Sequence, residues 1–327
     1  MKDKLFLIHH SSFMTLPLVI INPTSASGTT GARWPRLASV LRAHFGAFAC
    51  AFTESAGNGR RIAAREAQAG RRFIIACGGD GTISEVANGI LESGADAELG
   101  VLPRGTGGDF RRSLELPTRA ADVAVALRNG RTQLIDVGRV EYLNHAGEAE
   151  TRYFLNVASC GMGGEVIKRV KGGSSWLPQG ATRMLGGKAA FAAAALETTL
   201  KFEKPTIKIQ LDEKAERRLT VANLCIANAR YFGGGMKIAP EAKLNDGLLD
   251  VVAIGDLDTL TILTNVYKLY LGTHLGLQQV HHAQATRVSA RAADDKPVLL
   301  EVDGELVGTL PASFEIKPQA LRVRVPA

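Results

Sequence analysis

The sequence has no long apolar run: the longest in its most membrane-like region is residues 189–196, far below the ~20 needed to cross a bilayer. No membrane span is expected. Cysteine is scarce, four in 327 residues (Cys50, Cys77, Cys160 and Cys225), and no pair has CxxC spacing. That excludes a disulfide framework or a cysteine zinc site, and the apolar runs around most of them read as small buried hydrophobes in a reducing cytoplasm. No charge of one sign dominates. Lys and Arg number 39 against 32 Asp and Glu, a net +7 shared as 16 against 12 up to Gly138 and 23 against 20 beyond it. Such a diffuse excess lacks the clustered stripe of a nucleic-acid binder; it suits an anionic ligand, an anionic membrane surface or plain solubility. Repeats and low-complexity segments are absent, and 46% hydrophobic with 22% charged residues excludes disorder. The opening MKDKLFLIHHSSF has too short an apolar part for a signal peptide and no small-residue cleavage site. Residues 1–13 therefore read as an alternative start or a disordered leader, with His9 and His10 outside any site.

Several catalytic signatures are missing too. No GxxxxGK[ST] occurs, which excludes a P-loop; Ser84 stands where a GxGxxG fingerprint begun at Gly79 needs its third glycine; Val157 stands where a GxSxG elbow around Ser159 needs its first. His145 lies in a polar turn, and His274, His281 and His282 follow a helix end without HExxH spacing, so all four read as structural or exposed. Trp34 reads as a core-facing helix residue rather than an adenine stack.

What is present is a change of rhythm along the chain. Single cores stop growing near ~250–300 residues, so this length predicts two. From Leu16, the runs LVIINP, AFACAFT, RFIIACGG and ELGVLP alternate with helical stretches at 34–45, 60–69 and 82–91. This is the pattern of β-α-β units, and residues 14–137 are expected to form a doubly wound parallel α/β nucleotide-binding domain. After Ile135-Asp136-Val137-Gly138, strand-like runs follow at 139–142, 153–158, 206–211, 218–227, 248–254, 287–290, 298–302 and 314–316. They predict an antiparallel β-sandwich over 138–316, interrupted by helical insertions at 164–200 and 257–271, with the tail 317–327 returning to the first domain.

In a parallel sheet, ligands sit outside the carboxyl ends of the strands. There the sequence places Gly78-Gly79-Asp80-Gly81-Thr82 after the third strand, Pro103-Arg104-Gly105-Thr106-Gly107-Gly108-Asp109-Phe110 after the fourth, and Asn22-Pro23-Thr24-Ser25-Ala26-Ser27-Gly28 after the first. Glycines let backbone N–H groups approach a phosphate, and a following helix N-terminus adds positive potential. Asp80 is a poor phosphate ligand and makes sense beside a divalent cation; the competing reading is a tight turn with a capping aspartate. Two glycine-rich loops on adjacent strands are harder to explain as turns. Farther on, Asp303-Gly304-Glu305 is either an acid pair that splits into a base and a metal partner or a solvated hairpin turn.

These loops, with Ser84-Glu85-Val86-Ala87-Asn88-Gly89 behind the first, then Tyr231-Phe232-Gly233-Gly234-Gly235-Met236, Pro240-Glu241-Ala242-Lys243-Leu244-Asn245-Asp246-Gly247 and Val302-Asp303-Gly304-Glu305, resemble in type and order the diacylglycerol kinase catalytic-domain family. That family includes bacterial soluble diacylglycerol kinases, phosphatidylglycerol kinase-like proteins and sphingosine and ceramide kinases. The resemblance covers nearly the whole chain from Leu16, although GGDGT alone is shared with NAD kinases. It implies an ATP- and Mg²⁺-dependent kinase acting on a lipid hydroxyl, with the active site in the cleft between the two domains. The nucleotide contacts it implies fall on Asn22, Pro23, Thr24, Ser25 and Ala26, on Thr53, on Gly79, Asp80, Gly81, Thr82, Ile83, Ser84 and Glu85, and on Thr106, with Asp109 beside them. A structural Mg²⁺ falls on Asp246 with the carbonyls of Lys243 and Leu248; Asp80, Asp109 and Asp136 match the acids that organise the catalytic Mg²⁺. Glu305 matches the general base, with Asp303 next to it. The partners implied are a lipid substrate, transient contact with the inner face of the membrane from the cytoplasm, and a second copy in a homodimer; no nucleic acid is implied.

Three positions depart from the family pattern: Gly108 replaces an asparagine, Gly163 in Gly161-Met162-Gly163-Gly164 replaces an aspartate, and Ala26 stands where a glycine closes the first loop. Between 165 and 204, Lys168, Arg169, Lys171, Arg183, Lys188, Lys201 and Lys204 are interleaved with Trp176, Leu177, Met184, Leu185 and Phe191. This basic segment with apolar anchors suits an enzyme at an anionic membrane surface, or else a helix packed on the sandwich with a solvated basic face. Two rival functions share the motifs: a NAD-kinase-like kinase of a soluble substrate, and a nucleotide- or lipid-binding regulator without catalysis.

Overall fold

The computed structural model describes residues 16–172, 197–198 and 202–327. The leader 1–13 and most of the basic segment, from Trp176 to Phe191 and at Lys201, lie outside the described residues. The chain divides into two units, Met1–Ile135 with Gln319–Ala327, and Asp136–Pro318.

In the first unit the short apolar runs become parallel strands: β1 (Leu18–Ile21), β2 (Ala49–Phe52), β3 (Phe73–Gly78) and β4 (Glu98–Pro103). They lie in the order β2-β1-β3-β4, and the chain's last strand adds itself beyond β4 through Arg322↔Glu98 and Val323↔Leu99, again parallel. Helices α1 (Thr29–His44), α2 (Asn58–Gln68), α3 (Asp80–Ser93), α4 (Asp109–Ser113) and α5 (Ala120–Asn129) connect them. Strand side chains alternate between faces. Val19, Ile21, Ile75, Cys77 and Leu102 meet Leu37 and Leu41 of α1 and Val123 and Leu127 of α5. The intervening Ile20, Ile74, Ala76, Leu99 and Val101 are equally buried, opposite the buried Ile62 and Ala63 of α2 and Val86 and Ile90 of α3. Burial on both faces is why these strands are unbroken apolar runs. Helix α5, which the strand count passed over, follows from its apolar spacing at 123, 124 and 127. Trp34 is partly buried on the α1 side, edge-on to Phe48 and Phe52, as a core-facing residue.

The chain leaves this unit within β5 (Arg131–Asn144) and returns within β17 (Glu305–Val325). Between them the second unit builds an antiparallel path β14 (Val280–Ala285), β13 (Leu249–Ile254), β10 (Asn223–Ala227), β7 (Val157–Gly161), β16 (Leu299–Val302) and β17. A second set pairs off this path: β15 (Arg287–Ala292) joins β17 to β8 (Thr206–Leu211), β8 pairs with β9 (Arg217–Thr220), and β5 pairs with β6 (Ala149–Phe154) and β17. The sandwich-like core runs between them, with Val140, Phe154, Leu224, Ile226, Val288, Leu300 and Phe314, and the Phe154 and Phe314 rings meet edge to face at 6.5 Å. Helices α6 (Met162–Gly172) and α7 (Thr259–Leu271) and the hairpin of β11 (Tyr231–Phe232) and β12 (Met236–Lys237) complete the described part.

Several sequence expectations change. The run expected at 153–158 straddles two strands, β6 ending at Phe154 and β7 beginning at Val157. The single strand expected at 218–227 is two, because β9 ladders onto β8 while β10 ladders onto β7 and β13, and the chain must step between them at Val221 and Ala222. The run 314–316 is only the middle of the 21-residue β17. Cys50 is exposed, since β2 is the edge strand and buries alternate residues unevenly. Of the histidines read as structural or exposed, His274 is structural: it is buried, its Nε2 lying 3.0 Å from the Ile238 carbonyl.

Candidate functional site

At the carboxyl edge of the parallel sheet, three loops are stitched to one another by side chains. Asn22, just past β1, donates from Nδ2 to Thr82 Oγ1 (3.0 Å), while its Oδ1 accepts from the backbone N–H and hydroxyl of Thr24 (3.0 and 2.8 Å). Ser25 Oγ closes the same loop on the Asn22 carbonyl and on Thr30 Oγ1. Asp80 reaches to the fourth strand's loop: Oδ2 accepts from Gly108 N (2.7 Å) and Oδ1 from Phe110 N (3.1 Å). Asp80 is therefore a clamp between the two glycine loops, closer to the capping reading than to a free metal ligand. Glu85 has a similar task one turn along α3, accepting from Gly57 N and Gly59 N (2.8 and 2.9 Å) and so holding the N-terminus of α2 beside the buried Thr53. Asp109 pairs with Arg112 at 3.1 Å.

Glycine is required where the loops touch. A Cβ on Gly105 would stand 2.5 Å from the Gly79 Cα, and one on Gly107 would stand 2.7 Å from Asp80 Oδ2. Helix α3 starts at this contact with Gly79 as N-cap and no side-chain cap. Its first-turn N–H groups are thus uncapped by the protein's own side chains, the arrangement that accepts a phosphate. Arg104 is the one cation within the three loops as quoted from the sequence. Its N–H donates to the Gly78 carbonyl (2.7 Å), and among the described residues no acceptor reaches its buried Nε. Burial pushes the Cys77 thiol up to about 12, against the opposing pull of this Arg104 cation. Sequence reasoning quoted Arg104 within its motif and assigned it no role.

In the second unit, Asp303-Gly304 is a two-residue hairpin turn joining Val302 to its register partner Glu305, with φ of 48° and 84°. Such Asp-Gly turns match the twist of the flanking strands. Asp303 is buried, and its carboxylate accepts from three successive backbone N–H groups, Leu155 (2.9 Å), Asn156 (2.9 Å) and Val157 (3.3 Å). Buried Glu301 braces the other side, accepting from Ser159 Oγ (2.6 Å) and from Gly304 N. Glu305 alone of the three acids is substantially open, its side chain 34% exposed, and its Oε2 is 2.7 Å from Arg152 Nη2. The hairpin reading and the base reading thus divide between two residues: Asp303 ties the turn, Glu305 is presented by it. Neither Arg152 nor Glu301 was legible in the sequence, because each reaches its partner only through strand pairing.

The remaining predicted acids form a separate group in this unit. Asp136 Oδ2 accepts from Gly247 N (2.7 Å) and its N–H donates to the Leu244 carbonyl (2.6 Å), fastening the loop that carries Lys243, Asp246 and Leu248. Asp246 is exposed, and its Oδ1 accepts from Leu248 N (3.1 Å). Among the described residues no group of three or more His, Cys, Asp or Glu converges as a metal site. The departures from the family pattern have local reasons. Gly108, at φ 68°, caps α4 in the left-handed region; a Cβ on Gly163 would be 2.8 Å from Ser159 Oγ; and Ala26 adopts φ 51°, a conformation that costs an alanine about 1–2 kcal/mol.

A doubly wound sheet with clamped glycine loops at its carboxyl edge defines a nucleotide-phosphate domain, here joined to an antiparallel sandwich-like domain. Residues 17–140 match the model of the diacylglycerol kinase catalytic domain, and residues 178–325 that of the YegS C-terminal NAD kinase beta sandwich-like domain. A YegS-like lipid kinase of Pseudomonas aeruginosa is 32% identical over 279 residues, 83% of this chain and 82% of that protein. A diacylglycerol kinase of Staphylococcus saprophyticus is 29% identical over 310 residues, 94% of each. A diacylglycerol kinase structure from Bacillus anthracis str. Sterne superposes with a TM-score of 0.67, at 18% identity and covering 95% of this chain and 96% of that one, which concerns the fold. The chain belongs to this family of diacylglycerol and YegS-like lipid kinases; it is a kinase, with ATP as co-substrate.

Proposed function

We propose that this kinase transfers the γ-phosphoryl group of ATP, carried as its Mg²⁺ complex, to the hydroxyl of diacylglycerol or a related lipid alcohol. The observation that carries this reading is the clamp of Asp80 across two glycine loops at the uncapped N-terminus of α3. Phosphoryl transfer needs positioning and charge neutralisation more than covalent chemistry. The first-turn N–H groups of α3 and the Arg104 cation hold the phosphates; Asn22 and Thr82 fix the first loop; Glu85 fixes the start of α2, beside Thr53. Glu305 accepts the proton of the lipid hydroxyl as its oxygen attacks the γ-phosphorus and ADP departs, and Arg152 holds the Glu305 carboxylate in place.

The residues fit Mg²⁺ unevenly. Asp80 and Asp109 already serve as clamp and ion-pair partner; a catalytic Mg²⁺ held near them would supply neutralisation of the phosphate charge. The Lys243 and Leu248 carbonyls with the Asp246 carboxylate make the oxygen set a hard cation takes, and these three would hold a structural Mg²⁺. Among the described residues no helix is long and apolar enough to cross a membrane, and the lipid is met at a bilayer surface, from the cytoplasmic side.

Incubation of the purified chain with labelled ATP and a total lipid extract, followed by mass spectrometry, tests the reading. A phosphorylated lipid is expected. The matched sandwich domain also bears the NAD kinase name, so NAD belongs in the panel: its turnover without a lipid product would replace the proposal with a soluble-substrate kinase. Tight ATP binding with no transfer to any acceptor would make the chain a regulator.

A further inference from the structure

Helix α7 wears its amphipathicity inside out. Leu260 is 71% exposed and Leu271 63%, with Leu263, Val266, Tyr267 and Tyr270 exposed between them, and none of its thirteen residues is buried. At 100° per residue these six side chains occupy one continuous arc of about 140°. Thr261, Asn265 and Lys268 fall on the opposite side, where a surface helix normally puts its leucines. The element is nonetheless firmly built. Asp258 caps it, accepting from Thr261 N and Thr261 Oγ1 (3.0 and 2.6 Å), Gly272 ends it in the left-handed region at φ 78°, and Leu269 packs on the cluster around Ile238, Val252 and Val280. A contiguous apolar crest of this size is rare on a free surface and marks a contact.

The chemistry of the crest fits a lipid surface. It carries no charge, it is leucine-rich, and it includes two tyrosines, which favour the boundary between acyl chains and headgroups. Lys268, on the side away from the crest, is the only charged residue of the helix, and the stem of Lys237 comes within reach of Gly272 at its end, so the charge this element brings to a surface is positive and suits anionic headgroups. The acids at the other end are engaged: Asp256 pairs with Lys204 at 2.5 Å, and Asp258 is turned into the cap. The ridge is about 20 Å long and one helix wide. It falls short of the roughly 800 Å² per partner of a standard protein interface, whereas a fluid bilayer closes around a convex ridge of any outline.

We propose that α7 is a membrane-docking element, whose apolar crest enters the interfacial layer of an anionic bilayer and brings the enzyme to its lipid substrate. This rests on the lipid-kinase reading above, and it places a membrane contact at residues 259–271 in addition to the basic segment near 165–204. The test compares the wild-type chain with the double variant Leu260→Gln/Leu271→Gln, by co-sedimentation with phosphatidylcholine vesicles with and without phosphatidylglycerol. Melting temperature and light-scattering mass are recorded alongside. Wild type should bind, more strongly with phosphatidylglycerol; the variant's partition coefficient should fall at least tenfold, with melting temperature and mass unchanged. Phosphorylation of vesicle-borne lipid should fall in proportion, while a short-chain lipid alcohol dispersed as monomers is phosphorylated normally. Equal vesicle binding by the two proteins, or none by wild type, overturns the proposal. So does a wild-type dimer that becomes monomeric in the variant with vesicle binding unchanged, which would make the crest a contact between copies of this chain. If neither protein phosphorylates any lipid yet the tenfold binding difference stands, the kinase reading fails and the docking element survives.

Discussion

Both oxygens of the Asp80 carboxylate accept a backbone N–H from the neighbouring loop, so its removal strips Gly108 and Phe110 of partners in a partly buried place. Each such loss is worth about 1–3 kcal/mol. Asp80→Ala is therefore expected to lower the melting temperature by a few degrees and weaken ATP binding together, because the loop that slackens is the one carrying Thr106. Calorimetric titration with ATP and a thermal melt check it; an unchanged melt with activity lost would restore Asp80 to a purely metal-linked role. Glu305 is the opposite case. It sits beside Arg152 on a turn that Asp303 and Glu301 hold without its help, so Glu305→Gln should leave the melt and the ATP Kd unaltered while kcat falls by ~10²-fold or more, the scale of general-base catalysis. Arg152→Ala should also lower kcat, by about tenfold, with the ATP Kd again unchanged, since it costs only the orientation of the carboxylate. Weakened ATP binding in Glu305→Gln would place that residue with the nucleotide instead.

At the scale of elements, the meeting of β3, β4 and α3 depends on backbone touching backbone at Gly79 and Gly105. Gly105→Ala puts a methyl group 2.5 Å from the Gly79 Cα, a contact that no side-chain rotation relieves. The loops must separate, and a shift near 1 Å in a positioning element can cost ~10²-fold in rate. The variant should bind ATP at least tenfold more weakly; Gly276→Ala, whose Cβ meets nothing within 4 Å, serves as the control and should bind as wild type. Equal ATP affinity in both would mean that the close approach is incidental. Helix α3 itself was easy to anticipate from its glycine-flanked start. The loop-to-loop clamp was not, because Asp80 and Gly108 lie 28 residues apart and only the sheet order brings them together.

For the whole molecule, stability should carry a histidine signature. Burial holds the His274 imidazole below its usual range, only partly offset by hydrogen bonds to the Ile238 and Lys268 carbonyls and reinforced by the charge of His282. The folded state thus resists the proton that the unfolded chain takes up near pH 6.5. The stability it contributes is fully present above that pH and is lost as pH falls through the depressed folded value. Melting temperatures measured from pH 7.5 down to pH 5.5 should fall more steeply in wild type than in His274→Gln; parallel curves would show that His274 stays solvated.

Strand and helix spacing alone determined that this chain folds as a parallel α/β domain followed by an antiparallel sandwich-like one, while its kinase activity came from the resemblance of its ordered motifs to the diacylglycerol kinase family, to which it belongs. Strand and helix periods and contiguous loop motifs are local properties, and GGDGT and PRGTGGDF keep their meaning wherever the fold puts them. Tertiary structure alone decided what the acids do. Asp303 and Glu305 are two residues apart in sequence, yet strand pairing buries one against three backbone N–H groups and leaves the other at the surface beside an arginine 153 positions away. It likewise decided that Leu260, Leu263 and Leu271 of α7 face outward: periodicity announces an apolar stripe, but which side the chain turns toward its core is set by what packs against it, here Leu269 on Ile238 and Val252.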